Sequence, residues 1–149
     1  MTTIAIGAKA PAFKANDQNG VSRTLKEFSG KKLVLYFYPK DDTPGCTAEA
    51  CDLRDNYKKF IKAGYAILGV SPDTEAKHMK FITKYELPFD LLADTDNAIA
   101  LAYGVWVEKS MYGRKYMGIA RTTFVIDEKG KIEQVIEKVD TKNHTAQIL

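Results

Sequence analysis

Two stretches of the chain are apolar at nearly every position. Residues 31–39, KKLVLYFYP, form a continuous run closed by a proline, the pattern of a strand buried on both faces. Residues 65–73, YAILGVSPD, repeat it and end in a Pro-Asp turn. Between them the period changes. Cys46, Ala50, Leu53, Tyr57, Phe60 and Ile61 recur at helical spacing, which predicts a helix with Cys46 at the head of its apolar stripe. A second helix is predicted over residues 74–85, stopping before Leu87-Pro88. FDLLADTDN reads as a short strand, and residues 98–103 as a short helix closed by Gly104. Residues 121–139 read as two strands about a Glu-Lys-Gly turn, a hairpin. SMYGRKYMG, residues 110–118, lacks phosphate-loop spacing and reads as a surface loop, with Trp106 and Tyr112 as packing residues near it.

The resulting order is β-α-β-α-β-α followed by a hairpin. Strands alternating with helices predict an α/β fold, a mostly parallel central sheet covered on both faces, with the closing hairpin supplying antiparallel edge strands. In such sheets chemistry gathers at the carboxyl ends of the strands, and residues 39–46 follow one directly.

Length and composition narrow the class. The 149 residues predict one domain, 1–149, large enough to bury a core without staples. The 45% hydrophobic and 28% charged content is that of a soluble globular protein. A net charge of +3, with no lysine or arginine block longer than a pair, argues against a nucleic-acid or membrane surface. No targeting segment precedes the first strand, and no run approaches the roughly 20 apolar residues of a membrane span. These features predict a cytoplasmic protein, a compartment in which stable disulfides are rare. Cys46 and Cys51 are the only cysteines, so a redox pair or a metal site is expected before a staple.

Thr43-Pro44 is a helix start, with Thr43 as N-cap and proline in the first helical position. That places Cys46 in the first turn, where unpaired N–H groups and the helix dipole favour a thiolate, the reactive form. Cys51 lies five residues on. In a helix the two Cα atoms stand roughly 8.6 Å apart, beyond the about 7 Å a disulfide tolerates. Either the pair never bonds or the helix opens when it does. The spacing is not C-x-x-C. His78 and His144, the only histidines, stand at no metal-motif spacing to the cysteines. Two small apolar fillers remain the duller alternative.

YPKDDTPGCTAEACDLRD, residues 38–55, resembles the peroxiredoxins, in particular the bacterioferritin comigratory protein or Q type. Pro39-x3-Thr43-x2-Cys46, Glu49 three residues later and Cys51 five later match that pattern, and GAKAPAF, LGVSPD, KYELPFDLLAD and RTTFVID extend the resemblance along the chain. It implies a thioredoxin-like fold with a central mixed sheet flanked by helices. It implies that Cys46 attacks the terminal peroxide oxygen and becomes a sulfenic acid. Thr43 would bond the peroxide and the sulfur, Pro39 would close the pocket, and Arg121 would favour the thiolate and the departing oxygen, with Glu49 as its acidic partner. Cys51 would resolve the sulfenic acid as an intramolecular disulfide, reduced by thioredoxin or a similar dithiol protein. No cofactor and no metal are implied, and the assembly implied is a monomer or weak dimer. Relatives usually run on through a longer C-terminal helix after KNHTAQIL, so the last helix is expected to be short or cut away. Arg23, Arg54 and Arg114 keep the plain reading of surface residues.

Three functions follow, in order. The first is a thiol-dependent peroxidase acting on hydrogen peroxide and organic hydroperoxides. A thiol–disulfide oxidoreductase is second, weakened by the missing C-x-x-C. A redox sensor or holdase switched by the cysteine pair is third, weakened by the lack of an output surface.

Overall fold

The computed structural model describes residues 2–149. Near the amino end, β1 (Lys14–Asn16) and β2 (Ser22–Thr24) pair antiparallel as a small hairpin, followed by a 3-10 turn at Leu25–Phe28. The two apolar runs become β3 (Lys32–Phe37) and β4 (Tyr65–Ser71), which pair in parallel with Leu35 beside Leu68. Their connection is α1 (Pro44–Asp55) and α2 (Tyr57–Lys62). Next come α3 (Glu75–Tyr85), β5 (Asp90–Ala93) and α4 (Ala98–Ala102). A hairpin of β6 (Trp106–Met111) and β7 (Arg114–Ile119) precedes β8 (Thr122–Ile126), β9 (Ile132–Ile136) and α5 (His144–Ile148).

The central sheet runs β5-β4-β3-β8-β9, with β5, β4 and β3 parallel and β8 and β9 antiparallel. The mixed α/β architecture predicted from the alternating pattern is therefore present. One detail differs. Only β9 of the closing hairpin is an edge; β8 is interior, hydrogen-bonded to β3 on its other side. Every residue of β8 is buried, which is why RTTFVID carries no alternation.

The pleat divides β3 between two cores. Leu33, Leu35 and Phe37 face Leu68, Val70, Tyr103, Phe124 and Ile126 on one side. Val34, Tyr36 and Tyr38 face Cys46, Ala50, Leu53, Phe60, Leu91 and Ile148 on the other. Gly69 is fixed by this packing: a Cβ there would lie 2.6 Å from Leu91 Cδ2 and 2.8 Å from Tyr36 Cζ.

Two sequence readings change. The helical stripe from Cys46 to Ile61 is broken at Asn56 into two helices, and Ile61 is half exposed while Cys46, Ala50, Leu53 and Phe60 are buried. Residues 110–118 are not a loop but most of the β6–β7 hairpin. Its tip is Tyr112 and Gly113, both at positive φ, and Tyr112 is fully exposed. Trp106 does pack against the core, as expected; Tyr112 does not.

Candidate active site

The segment joining β3 to α1 is tied down before it reaches Cys46. Asp41 is buried, accepts 2.5 Å from the Tyr38 hydroxyl and lies 2.6 Å from His78 Nδ1. The Asp41 N–H donates to Asp73 Oδ2 at 2.6 Å. Asp42 takes a left-handed conformation (φ 56°), tolerable for aspartate, and accepts from Lys84 Nζ at 2.8 Å and from the Tyr85 hydroxyl at 2.7 Å. Apart from Tyr38, these anchors come from α3 or from the turn between β4 and α3, so the turn into α1 is fixed largely from outside its own sequence.

Thr43 occupies the N-cap position with an extended backbone, and Pro44 opens the helix. The threonine does not cap. Its hydroxyl donates 2.9 Å to the Lys40 carbonyl, and no side-chain hydrogen bond among the described residues caps the amino-terminal end of α1. The amides of the first turn are thus left to whatever lies beside Cys46, as the positive end of a helix of 12 residues.

Arg121 approaches this turn from the residue before β8. Its Nη1 donates 2.8 Å to Glu49 Oε1 and its Nη2 donates 3.2 Å to Cys46 Sγ. One planar guanidinium therefore spans a carboxylate and a sulfur, a fork geometry that lysine lacks. Gly45 makes room for it: a Cβ at that position would stand 3.2 Å from Nη2. Burial and the charges of Cys46 and Glu49 act oppositely on Arg121, and the result is a guanidinium held above its usual range. Glu49 is wholly buried, and desolvation pushes its carboxyl up to about 7 against the pull of Arg121. Lys109, half-buried on β6, is lowered by desolvation first and by Arg121 second.

The remaining expected residues are placed as follows. Pro39 is half-buried beyond the end of β3, next to Tyr38. Cys51 lies five positions along the same unbroken helix as Cys46, partly exposed, and both thiols are free. Cys46, Glu49, Thr43 and Arg121 are brought together; Cys51 is held apart by the helix. Arg54 and Arg114 are at the surface, with Arg54 on Asp55 and the Tyr85 carbonyl. Arg23 is not a plain surface residue: it binds Asp17, Glu27 and Asp90 and joins the β1–β2 hairpin to β5. Two buried histidines were missed as neighbours of the site. His78 holds Asp41, and His144 Nε2 stands 3.4 Å from Glu49 Oε2. No periodicity signals either contact, because each joins elements far apart in the chain.

Among the described residues no cluster of three or more His, Cys, Asp or Glu side chains is placed to hold a metal ion, and no helix is long and apolar enough to cross a membrane.

Residues 6–135 match the AhpC/TSA family. The chain is 48% identical to peroxiredoxin Bcp of Bacillus subtilis over 147 residues, covering 99% of this chain and 94% of that protein. Peroxiredoxin Bcp of Escherichia coli is 45% identical over 144 residues, with 97% and 92% covered. Among solved structures, Xanthomonas campestris peroxiredoxin Q superposes with a TM-score of 0.88 at 37% identity, covering 99% of this chain and 93% of that one. A Xylella fastidiosa PrxQ mutant superposes with a TM-score of 0.93 at 30% identity, covering 99% and 94%. With a buried thiol under an arginine at a helix start, on the thioredoxin fold of those neighbours, the chain belongs to the AhpC/TSA family of peroxiredoxins, the thiol-dependent peroxidases.

Proposed function

We propose that Cys46 is the peroxidatic cysteine and Cys51 the resolving one, within a single domain that reduces hydrogen peroxide and organic hydroperoxides. The observation that carries this reading is the Arg121 fork, 2.8 Å from Glu49 and 3.2 Å from Cys46 Sγ. A guanidinium so placed stabilises charge on sulfur and on the oxygen that leaves. In the first step the Cys46 thiolate attacks the terminal peroxide oxygen. The S–O bond forms, the O–O bond breaks, and the departing oxygen takes a proton to leave as water or an alcohol. Thr43 has given its one hydroxyl proton to Lys40, so its lone pairs are the groups that can orient the peroxide O–H. Pro39 shields the sulfenic acid from water at the mouth. A Xanthomonas campestris bacterioferritin comigratory protein, 36% identical, is described by its alkyl peroxide reduction activity, which supports the organic substrates.

The second step is attack by Cys51 sulfur on the Cys46 sulfenic acid, with an S–S bond formed and water expelled. While α1 is helical the Cα atoms stay roughly 8.6 Å apart, so the first turns of α1 unwind before the bond closes. A cytoplasmic dithiol protein such as thioredoxin then returns both thiols by exchange, and the protein acts as a monomer or weak dimer.

Thiol counting and intact mass after one equivalent of hydroperoxide test the assignment. Wild type is expected to lose two hydrogens and both thiols, Cys51→Ala to trap a sulfenic acid, and Cys46→Ser to consume no peroxide. Peroxide turnover by Cys46→Ser would overturn it.

A further inference from the structure

We propose that Glu49 and His144 share one buried proton, and that His144 is thereby a positioning residue that leaves the full charge of Arg121 available to Cys46. The inference rests on Cys46 as the attacking thiol and concerns how its arginine is supported.

The hydrogen-bond pattern around His144 leaves little choice of tautomer. Gln147 donates through Nε2 to the Lys138 carbonyl at 2.9 Å, and its Oε1 accepts from the Asp140 N–H at 2.9 Å. That oxygen also lies 2.7 Å from His144 Nδ1, so Nδ1 must carry the hydrogen. The other ring nitrogen, Nε2, faces the Thr123 hydroxyl at 2.7 Å and Glu49 Oε2 at 3.4 Å. Both side chains are fully buried, and among the described residues Glu49 Oε2 has no hydrogen-bond partner. With an ionised Glu49 opposite a neutral ring, the Thr123 hydroxyl can satisfy Nε2, but Oε2 would face that nitrogen's lone pair without a donor of its own, a costly arrangement for a buried carboxylate oxygen. A single proton removes the conflict. On Glu49 it is donated to Nε2; on Nε2 it is donated to Oε2 and to Thr123.

The consequence is electrostatic. With the proton present, the Glu49–His144 pair is neutral in sum, and Arg121 keeps its positive charge for the sulfur 3.2 Å away. With the proton gone, Glu49 is an uncompensated carboxylate 2.8 Å from Nη1 and draws that charge away. The charged groups facing His144 are Glu49 and Asp52 on α1, Arg121 ahead of β8, and Asp140 before its own helix. Asp52 is already engaged as acceptor from the Thr145 N–H and hydroxyl. Burial raises Glu49 to about 7 and lowers His144, which brings the two proton affinities together, the condition for a shared proton.

The test is made on the full chain in two ways. First, the ring nitrogens of His144 in the reduced, resting protein are followed by nitrogen-15 NMR against pH, in wild type and in Glu49→Gln. The Nε2 resonance is expected to inflect in wild type and to lose that inflection in Glu49→Gln. Second, the rate of Cys46 oxidation by hydrogen peroxide is measured against pH in wild type and His144→Gln, whose amide can donate to Glu49 but cannot titrate. The ratio of wild-type to variant rate is expected to be close to one near pH 6, where Glu49 keeps its proton in both proteins, and to rise about threefold to tenfold above about pH 7, where the variant's Glu49 ionises while wild type retains the shared proton, as for one charge removed across a partly shielded distance. The ratio is expected to fall back toward one at higher pH, once the shared proton is lost from wild type as well. An Nε2 resonance indifferent to Glu49→Gln, or a constant rate ratio, would overturn the proposal. Because the resonance is read without peroxide, its failure is separable from failure of the peroxidase reading.

Discussion

Arg121 holds two partners at once, and that is where a single side chain most affects the chemistry. Its two terminal nitrogens reach Glu49 and Cys46 in one plane. Arg121→Lys keeps the charge but cannot make both bonds from one ammonium at those separations. The loss of one donor at a site of developing charge costs about a hundredfold or more in rate. The expected outcome is a fall of that size in the second-order rate of Cys46 oxidation, measured by stopped flow, with little change in thermal stability. An undiminished rate would mean that net charge, rather than the fork, is what the thiol needs. At this scale the sequence was legible where chemistry leaves a local signature: Thr43, Pro44, Cys46 and Glu49 sit within about two helical turns. Arg121 was reachable only through resemblance. His144 and His78 carried no signal at all, because their partners Glu49 and Asp41 are set by folding, not by spacing.

Elements become legible when their period is uninterrupted, and α1 shows both sides of this. Its start was plain from Thr43-Pro44, but the break at Asn56 was not, since the apolar residues keep helical spacing through it. Likewise β6 and β7 stayed hidden because seven of their positions are exposed and their faces do not alternate. The same helix α1 has to open for Cys51 to reach Cys46, and what resists opening is α5. Asp52, next to Cys51, accepts from the Thr145 amide at 2.7 Å and the Thr145 hydroxyl at 2.8 Å. Thr145→Val removes the second bond while keeping the shape, a loss of about 1 kcal/mol. If the contact is broken on opening, the population of the open helix rises about fivefold. Disulfide formation after one equivalent of peroxide, followed by quenched-flow intact mass, is expected to quicken by about that factor. No acceleration would mean that α1 unwinds ahead of Asp52 and leaves α5 docked.

At the level of the whole molecule, the site is closed by the first crossover helix and the carboxyl-terminal helix meeting on one face of the sheet. Cys46, Ala50 and Leu53 from the first crossover share a buried cluster with Val125 of β8 and with Ile148, the last residue of α5. The alternating pattern predicted the sheet and its two covered faces, since periodicity reports burial. It did not predict that five residues near the carboxyl end would complete the core beside the thiol, because one short helix has too little pattern of its own. This leads to a strong expectation for removal of residues 144–149. Ile148 is 5% exposed, and burying such a side chain is worth about 2 kcal/mol. The bond from the Thr145 hydroxyl to Asp52 adds about 1 kcal/mol more. Near 3 kcal/mol together, they correspond to a fall in Tm of about 6–12 °C for a chain of this size. The β3, β4 and β8 core on the opposite face contains no α5 residue, so the shortened chain is expected to fold and to retain its far-ultraviolet circular dichroism. Its Cys46, by contrast, loses the wall behind Glu49, and peroxide consumption is expected to drop well below that of Arg121→Lys. A shortened chain that matched wild type in both Tm and turnover would show that α5 merely rests on α1, and that the site is complete without it.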